Sequence, residues 1–207
     1  TGSCGTAAFQ KSLVIVENIA TDPKWQRGAA VALAEQVQAL CAAHPTGLWR
    51  VRCCVDADGQ TRFEVFALEA SPESVQLVWA REPFAAAHSE WVRHKTTRRA
   101  HYDDATVQAP GAFDTLLYNA EGEITECVRG NIAALIDGQW LTPALHCGLL
   151  PGVGRAVALR EGRVQEAVIR REDAHRVQAW AFLNSLRGWL PATISAPAAP
   201  RSSAELR

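Results

Sequence analysis

Between residues 115 and 143 the chain is punctuated in a way few folds can accommodate. Thr115 to Asn119 (TLLYN) is a short apolar run and EGE (121–123) is a turn signal. ITECVRGNIAALI (124–136) is a longer apolar run interrupted near Gly130, Asp137-Gly138 is a hairpin signal, and WLTPAL (140–145) is a further short run. Runs of this length, separated by Gly and Asp/Asn turns, predict consecutive antiparallel strands rather than helices.

The flanking segments add single helices to this series. AAVALAEQVQALCAA (29–43) has apolar positions at helical spacing and strong helix formers, and Pro45 and Gly47 end it. LWRVRCCV (48–55) alternates, DADGQ marks a hairpin, and TRFEVFAL (61–68) and SVQLVWA (74–80) predict two more strands. Towards the other end, Gly152–Arg160 predicts a helix, VQEAVIR (164–170) a strand, EDAHRVQ (172–178) a short helix, and AWAFLNS (179–185) and PATI (191–194) the last strands. Residues 1–28 offer only a strand candidate at Leu13–Val16 and a turn or helix entry at Thr21-Asp22-Pro23. Hairpins alternating with single helices define an α+β, or mixed α/β, pattern without the regular βαβ rhythm of dinucleotide-binding folds. The expected division is a small α+β domain over residues 1–88, a second domain over 89–194, and a disordered tail over 195–207.

Charge and composition exclude several classes. The formal net charge of −1 gives no reason to expect nucleic acid or an anionic membrane as partner. No apolar run approaches the roughly 20 residues a bilayer span needs. The opening TGSCGTAAFQ has no basic or apolar leader, so a cytoplasmic location is expected; the absence of methionine suggests a start other than the native N-terminus. The six cysteines include no C-x-x-C pair, so reduced, mostly buried thiols are expected and a metal site is not. Neither G-x-G-x-x-G nor G-x-x-x-x-G-K is present to cradle a nucleotide phosphate.

Chemistry concentrates in a few places. Lys95 lies in HKTTRRAHY (94–102), where neighbouring cations and burial would lower its pKa towards a reactive, partly neutral amine. Glu126 is a single carboxylate among Ile124, Cys127, Ile132 and Ala133, and a buried carboxylate requires a cationic partner. Pro151-Gly152-Val153-Gly154 leads into a helix whose first N–H groups can face an anion, and Ser185 ends a strand and offers a hydroxyl and an N–H. Each also has an ordinary reading: a solvated lysine, a half-exposed strand glutamate, two plain turns.

The ordered set HKTTRRAHYD, LLYNAEGEITECVRGNI, DGQWLTPALHCGLLPGVGR and FLNSLRGWLP resembles the class IV aminotransferase family of pyridoxal-phosphate enzymes, over about residues 48–194. The resemblance implies a D-amino acid aminotransferase-like fold and pyridoxal 5'-phosphate joined to Lys95 as an imine. It also implies that Glu126 pairs with the pyridine nitrogen, that Asn131 braces the strand carrying Glu126, and that the backbones of Val153 and Gly154, with Ser185, hold the phosphate. Arg52 (or Arg50) and Leu186 are the implied substrate contacts, and a homodimer is the implied assembly. HKTTRRAHYD and NSLRGWLP are most similar to the aminodeoxychorismate lyase branch, which converts 4-amino-4-deoxychorismate to 4-aminobenzoate and pyruvate for folate synthesis. A transaminase acting on D-amino acids, branched-chain amino acids or amines shares the same core motifs. Residues 1–47 lack the family's R-H-L-x-R-L-like helix, and Arg27 is the only arginine there. A reduced N-terminal small domain is therefore expected, a departure that would also suit a non-catalytic member of the family.

Overall fold

The computed structural model describes residues 3–8, 27–55 and 60–195. The sequence expectations at Leu13–Val16, at Thr21–Pro23, in the DADGQ turn at 56–59 and in the tail beyond Ser195 lie outside these residues.

The first part of the chain forms strand β1 (Ser3–Ala8), helix α1 (Arg27–Ala43), and strands β2 (Trp49–Val55) and β3 (Thr61–Ala67). The three strands make one antiparallel sheet in the order β1-β2-β3. β1 was not legible in the sequence; its backbone pairs with β2 from Ser3 opposite Val55 to Ala8 opposite Arg50. The β2–β3 register places Arg52 opposite Glu64, and their side chains form an ion pair at 3.2 Å.

The remaining strands form an eight-stranded sheet: β4 (Val75–Trp79), β5 (Asp114–Tyr118), β6 (Ile124–Cys127), β7 (Asn131–Ile136), β8 (Gln139–Pro143), β9 (Gln165–Ala167), β10 (Ala179–Asn184) and β11 (Gly188–Ser195). Their order is β6-β5-β4-β11-β10-β7-β8-β9, so β4, which precedes residue 89, lies within this larger sheet. β4 is parallel to both of its neighbours, whereas β7, β8, β10 and β11 run antiparallel through the middle. Two short helices belong to the sheet: α2 (Ala100–Ala105) and α3 (Val153–Arg160).

The turns follow from local chemistry. Asp137 (φ 50°) and Gly138 (φ 77°) occupy the left-handed region that a two-residue hairpin requires. Asn119 holds the β5–β6 turn, where its Oδ1 accepts N–H groups of Glu121 (3.1 Å) and Glu123 (2.9 Å). Two segments depart from expectation. The expected helix at 172–178 is instead a 3-10 helix over Arg171–Arg176, the tighter winding that short helical connectors commonly take. The expected strand at 164–170 divides between two partners. β9 pairs with β8, then Ile169 accepts the N–H of Ile124 at 2.8 Å and Arg170 bridges Glu123. The edge strand β6 is thereby met by the segment that follows the opposite edge strand, and the sheet curls almost into closure.

Burial follows the curl. Leu77, Leu116, Ile124, Ile132, Phe182 and Leu190 pack together as one core, while Phe84, Val92, Tyr102, Leu117 and Val128 form a second. Leu116 and Leu117 face different cores, as the two-residue strand period dictates. Under α3 the contacts are Ala133, Ala158 and Ala181, small residues that let the helix approach the sheet closely. Every residue of β5 and β6 is buried, which explains why these strands read as continuous apolar runs. Among the described residues no helix is long and apolar enough to cross a membrane.

Candidate active site

The segment carrying Lys95 is pinned at both ends. Before it, a 3-10 helix (Glu90–Arg93) buries Val92; after it, α2 buries Tyr102. Between them the Thr96 hydroxyl accepts the N–H of Arg98 at 3.2 Å, tightening the turn. Lys95 itself is half-buried. Arg99 donates from Nη2 to the Val128 carbonyl at 2.7 Å, and its guanidinium lies 4.7 Å from the centre of the Tyr102 ring.

Glu126 comes to the same place from β6. The β5–β6 register shifts between the pairs Leu116–Cys127 and Tyr118–Ile124, so Thr125 and Glu126 together oppose the single residue Leu117. Such a bulge bends a strand and re-aims its side chains. Glu126 is 2% exposed, and its Oε1 accepts the Tyr102 hydroxyl at 2.6 Å. The Leu150 N–H is a second donor to the carboxyl group. Burial pushes the Glu126 pKa up to about 8, against the opposing pull of the Tyr102 and Leu150 hydrogen bonds and the Lys95 and Arg99 charges. The Tyr102 phenol is raised as well, first by burial and then by the carboxylate beside it.

Lys95 and Glu126 line one cleft of ≈ 310 Å³, counting the solvent space at its mouth. Its other charged or titratable walls are His94, Arg98, Arg99, Tyr102 and Arg129. Arg98 rests on Trp91, 4.3 Å from the ring centre, and Arg129 lies 3.6 Å from the buried Asp114. The cleft therefore presents one carboxyl group among several cations.

The other residues singled out in the sequence are not in the lining of this cleft. Asn131, at the start of β7, is 3% exposed and donates from Nδ2 to the Leu150 carbonyl at 2.9 Å. It fixes the loop whose N–H reaches Glu126. A Cβ on Gly152 would fall 2.1 Å from Asn131 Oδ1, so a side chain there would have to displace the Asn131 amide. Gly154, in the first turn of α3, packs against the end of β10, where a Cβ would sit 2.9 Å from the Asn184 carbonyl carbon. Asn184 in turn accepts the N–H groups of Leu186 (3.1 Å) and Arg187 (2.7 Å), which shapes the turn containing Ser185. Val153, Gly154, Ser185 and Leu186 are thus grouped where α3 meets the β10–β11 turn. Arg52 lies apart from them on β2, held by Glu64.

Sequence reasoning did not assign Tyr102, Val128, Arg129 or Leu150. Tyr102 had a signal, since it closes the same short segment as Lys95. Leu150 had none, because its contribution is a backbone N–H.

The chain belongs to the class IV aminotransferase family, whose model matches residues 29–194. This is a family of enzymes acting on small molecules, and the mixed α+β architecture is that of its solved members. A protein of Schizosaccharomyces pombe described as a "putative aminodeoxychorismate lyase" is 30% identical over 156 residues, covering 70% of this chain and 67% of that protein. A "putative amino-acid aminotransferase" from Mesorhizobium loti superposes with a TM-score of 0.75 at 28% identity, covering 94% of this chain and 99% of the other. A "putative 4-amino-4-deoxychorismate lyase" from Legionella pneumophila gives a TM-score of 0.73 at 19% identity, over 95% and 83% of the two chains, a likeness of fold.

Proposed function

We propose that this protein is a pyridoxal-phosphate-dependent lyase that converts 4-amino-4-deoxychorismate into 4-aminobenzoate and pyruvate. The observation that carries the reading is the shared cleft of Lys95 and Glu126, an amine and a buried carboxyl group lined otherwise by cations. These residues fit the cofactor. A carboxyl group whose pKa burial has raised calls for a positive partner, and a protonated pyridine nitrogen is one. Gly152 caps α3 without a side-chain hydrogen bond, which leaves first-turn N–H groups at Val153 and Gly154, beside Ser185, to receive a phosphate.

When bound, pyridoxal phosphate supplies an aromatic ring that accepts electrons released at the substrate's amine-bearing carbon. Lys95 would hold the cofactor through Nζ until the substrate amine takes its place, and the freed amine would then remove the proton from that carbon and return a proton as the enolpyruvyl group departs as pyruvate. The reaction neither gains nor loses atoms: aromatisation gives up one proton and the pyruvate methyl group takes one up. Glu126 would keep the ring nitrogen charged, with Asn131 supporting it through the Leu150 loop. The substrate carries two carboxylates, which suits the cationic wall of Arg98, Arg99 and Arg129. These arginines line the cleft itself, and Arg52, ion-paired with Glu64 on β2, and Leu186 are the further substrate contacts of this reading. The reading includes a cytoplasmic homodimer, which sedimentation would test.

Incubating the protein with pyridoxal phosphate and 4-amino-4-deoxychorismate should release 4-aminobenzoate and pyruvate in equal amounts. Steady amino transfer from a D-amino or branched-chain donor to a keto acid, without pyruvate release, would establish transamination instead. That second reading is favoured by the near full-length likeness to the Mesorhizobium loti protein.

A further inference from the structure

We propose that Tyr102 is a positioning residue for Glu126: its hydroxyl, 2.6 Å from Oε1, donates to the carboxyl group, favouring its ionised form and holding it at a fixed station in the cleft it shares with Lys95. The proposal rests on the cofactor-binding reading of that cleft and adds a residue to it.

An ionised carboxylate only accepts hydrogen bonds, and a phenol is a good donor to it. Donation stabilises the anion, whereas burial favours the neutral acid. Glu126 is faced by Tyr102 from α2, by Lys95 and Arg99 from the segment before α2, and by the Leu150 N–H from the loop before α3. Its neighbour on β6 is the Cys127 thiol, which burial keeps neutral. Tyr102 is therefore the uncharged side chain able to hold the anion without forming a permanent ion pair with it. A permanent partner would compete with a ring cation; a phenol leaves the charge available.

The surroundings strengthen the donor. The Arg99 guanidinium on the face of the Tyr102 ring opposes the burial that suppresses phenol acidity. The same guanidinium is anchored to Val128, two residues beyond Glu126. Two hydrogen bonds, Tyr102 to Glu126 and Arg99 to Val128, thus clip the Lys95 segment onto β6 and its exit. The segment supplying the amine also carries the group that fixes the carboxylate, so the span between them is set by one short piece of chain.

A purely packing role makes a different prediction. The Tyr102 ring stacks on Phe84 at 5.3 Å and lies tilted against His101 at 4.4 Å, and a phenylalanine would keep both contacts. The experiment is an infrared titration of the Glu126 carboxyl band in protein freed of cofactor, with the band assigned by its loss in Glu126→Gln. In Tyr102→Phe the titration midpoint should rise by about one pH unit. Site-specific 3-fluorotyrosine at position 102, nearly isosteric and a stronger donor, should move it the other way and guards against a misfolded Phe variant. In cofactor-loaded enzyme, Tyr102→Phe should lower kcat about tenfold with little change in KM, and in a Glu126→Gln background it should add no further loss. Identical carboxyl midpoints in all three proteins would overturn the proposal. A wild-type protein that forms no imine band with pyridoxal phosphate would sink the lyase reading instead, and the infrared titration would still decide the Tyr102–Glu126 coupling.

Discussion

Lys95 and Glu126 lie thirty-one residues apart in the chain and on one cleft in the fold, and their substitutions should separate their roles. Lys95→Ala should abolish the visible imine band with pyridoxal phosphate and lower turnover by about 10²–10⁴-fold or more, with the circular dichroism spectrum unchanged. Glu126→Ala should retain the imine band but slow turnover, because a buried ring cation would lose its counter-charge. An undiminished rate in that variant would remove Glu126 from the mechanism. Both residues were legible because they stood out by type, an amine among hydroxyls and a carboxylate in an apolar run. The bulge that aims Glu126 was not legible, since an extra strand residue leaves no mark in a run that is apolar on both faces.

At the scale of elements, strands and hairpins followed from turn chemistry, and pairing partners did not. Asp137-Gly138 and the Asn119 turn are specified locally, whereas nothing within 164–170 announces that β9 changes partner after three residues. Asn119→Ala should lower stability by about 1–3 kcal/mol in urea unfolding, because two backbone N–H groups and the Cys147 carbonyl would lose their bonds. At the junction of α3 with β10 the effect should fall on the cofactor. A methyl group on Gly154 would meet backbone rather than a flexible side chain, so Gly154→Ala must displace the helix start. Its affinity for pyridoxal phosphate, followed by absorbance titration, should fall about tenfold or more. An unchanged affinity would detach this junction from phosphate binding.

For the whole molecule, the buried carboxyl group makes stability depend on pH. The Glu126 pKa is about 8 in the folded chain, above the ordinary glutamate value, so the folded state binds a proton more tightly than the unfolded chain. The stability this confers is fully present below the unfolded-state pKa and is lost as pH rises through about 8. In cofactor-free protein, urea midpoints should decline between about pH 5 and pH 8.5 by the equivalent of roughly 2–5 kcal/mol, and Glu126→Gln should flatten the decline. A flat profile in the unsubstituted protein would contradict a buried carboxyl group whose pKa burial has raised.

The strand order has a consequence for how the protein comes into being. β11, formed by residues 188–195, lies between β4 and β10. Until it emerges from the ribosome, the β4–β6 ribbon that carries Glu126 and the β7–β10 ribbon that seats α3 have no strand joining them across the middle. The last strand of this sheet to be synthesised is its keystone, and a nascent chain released before Ser195 should hold neither ribbon in alignment with the other.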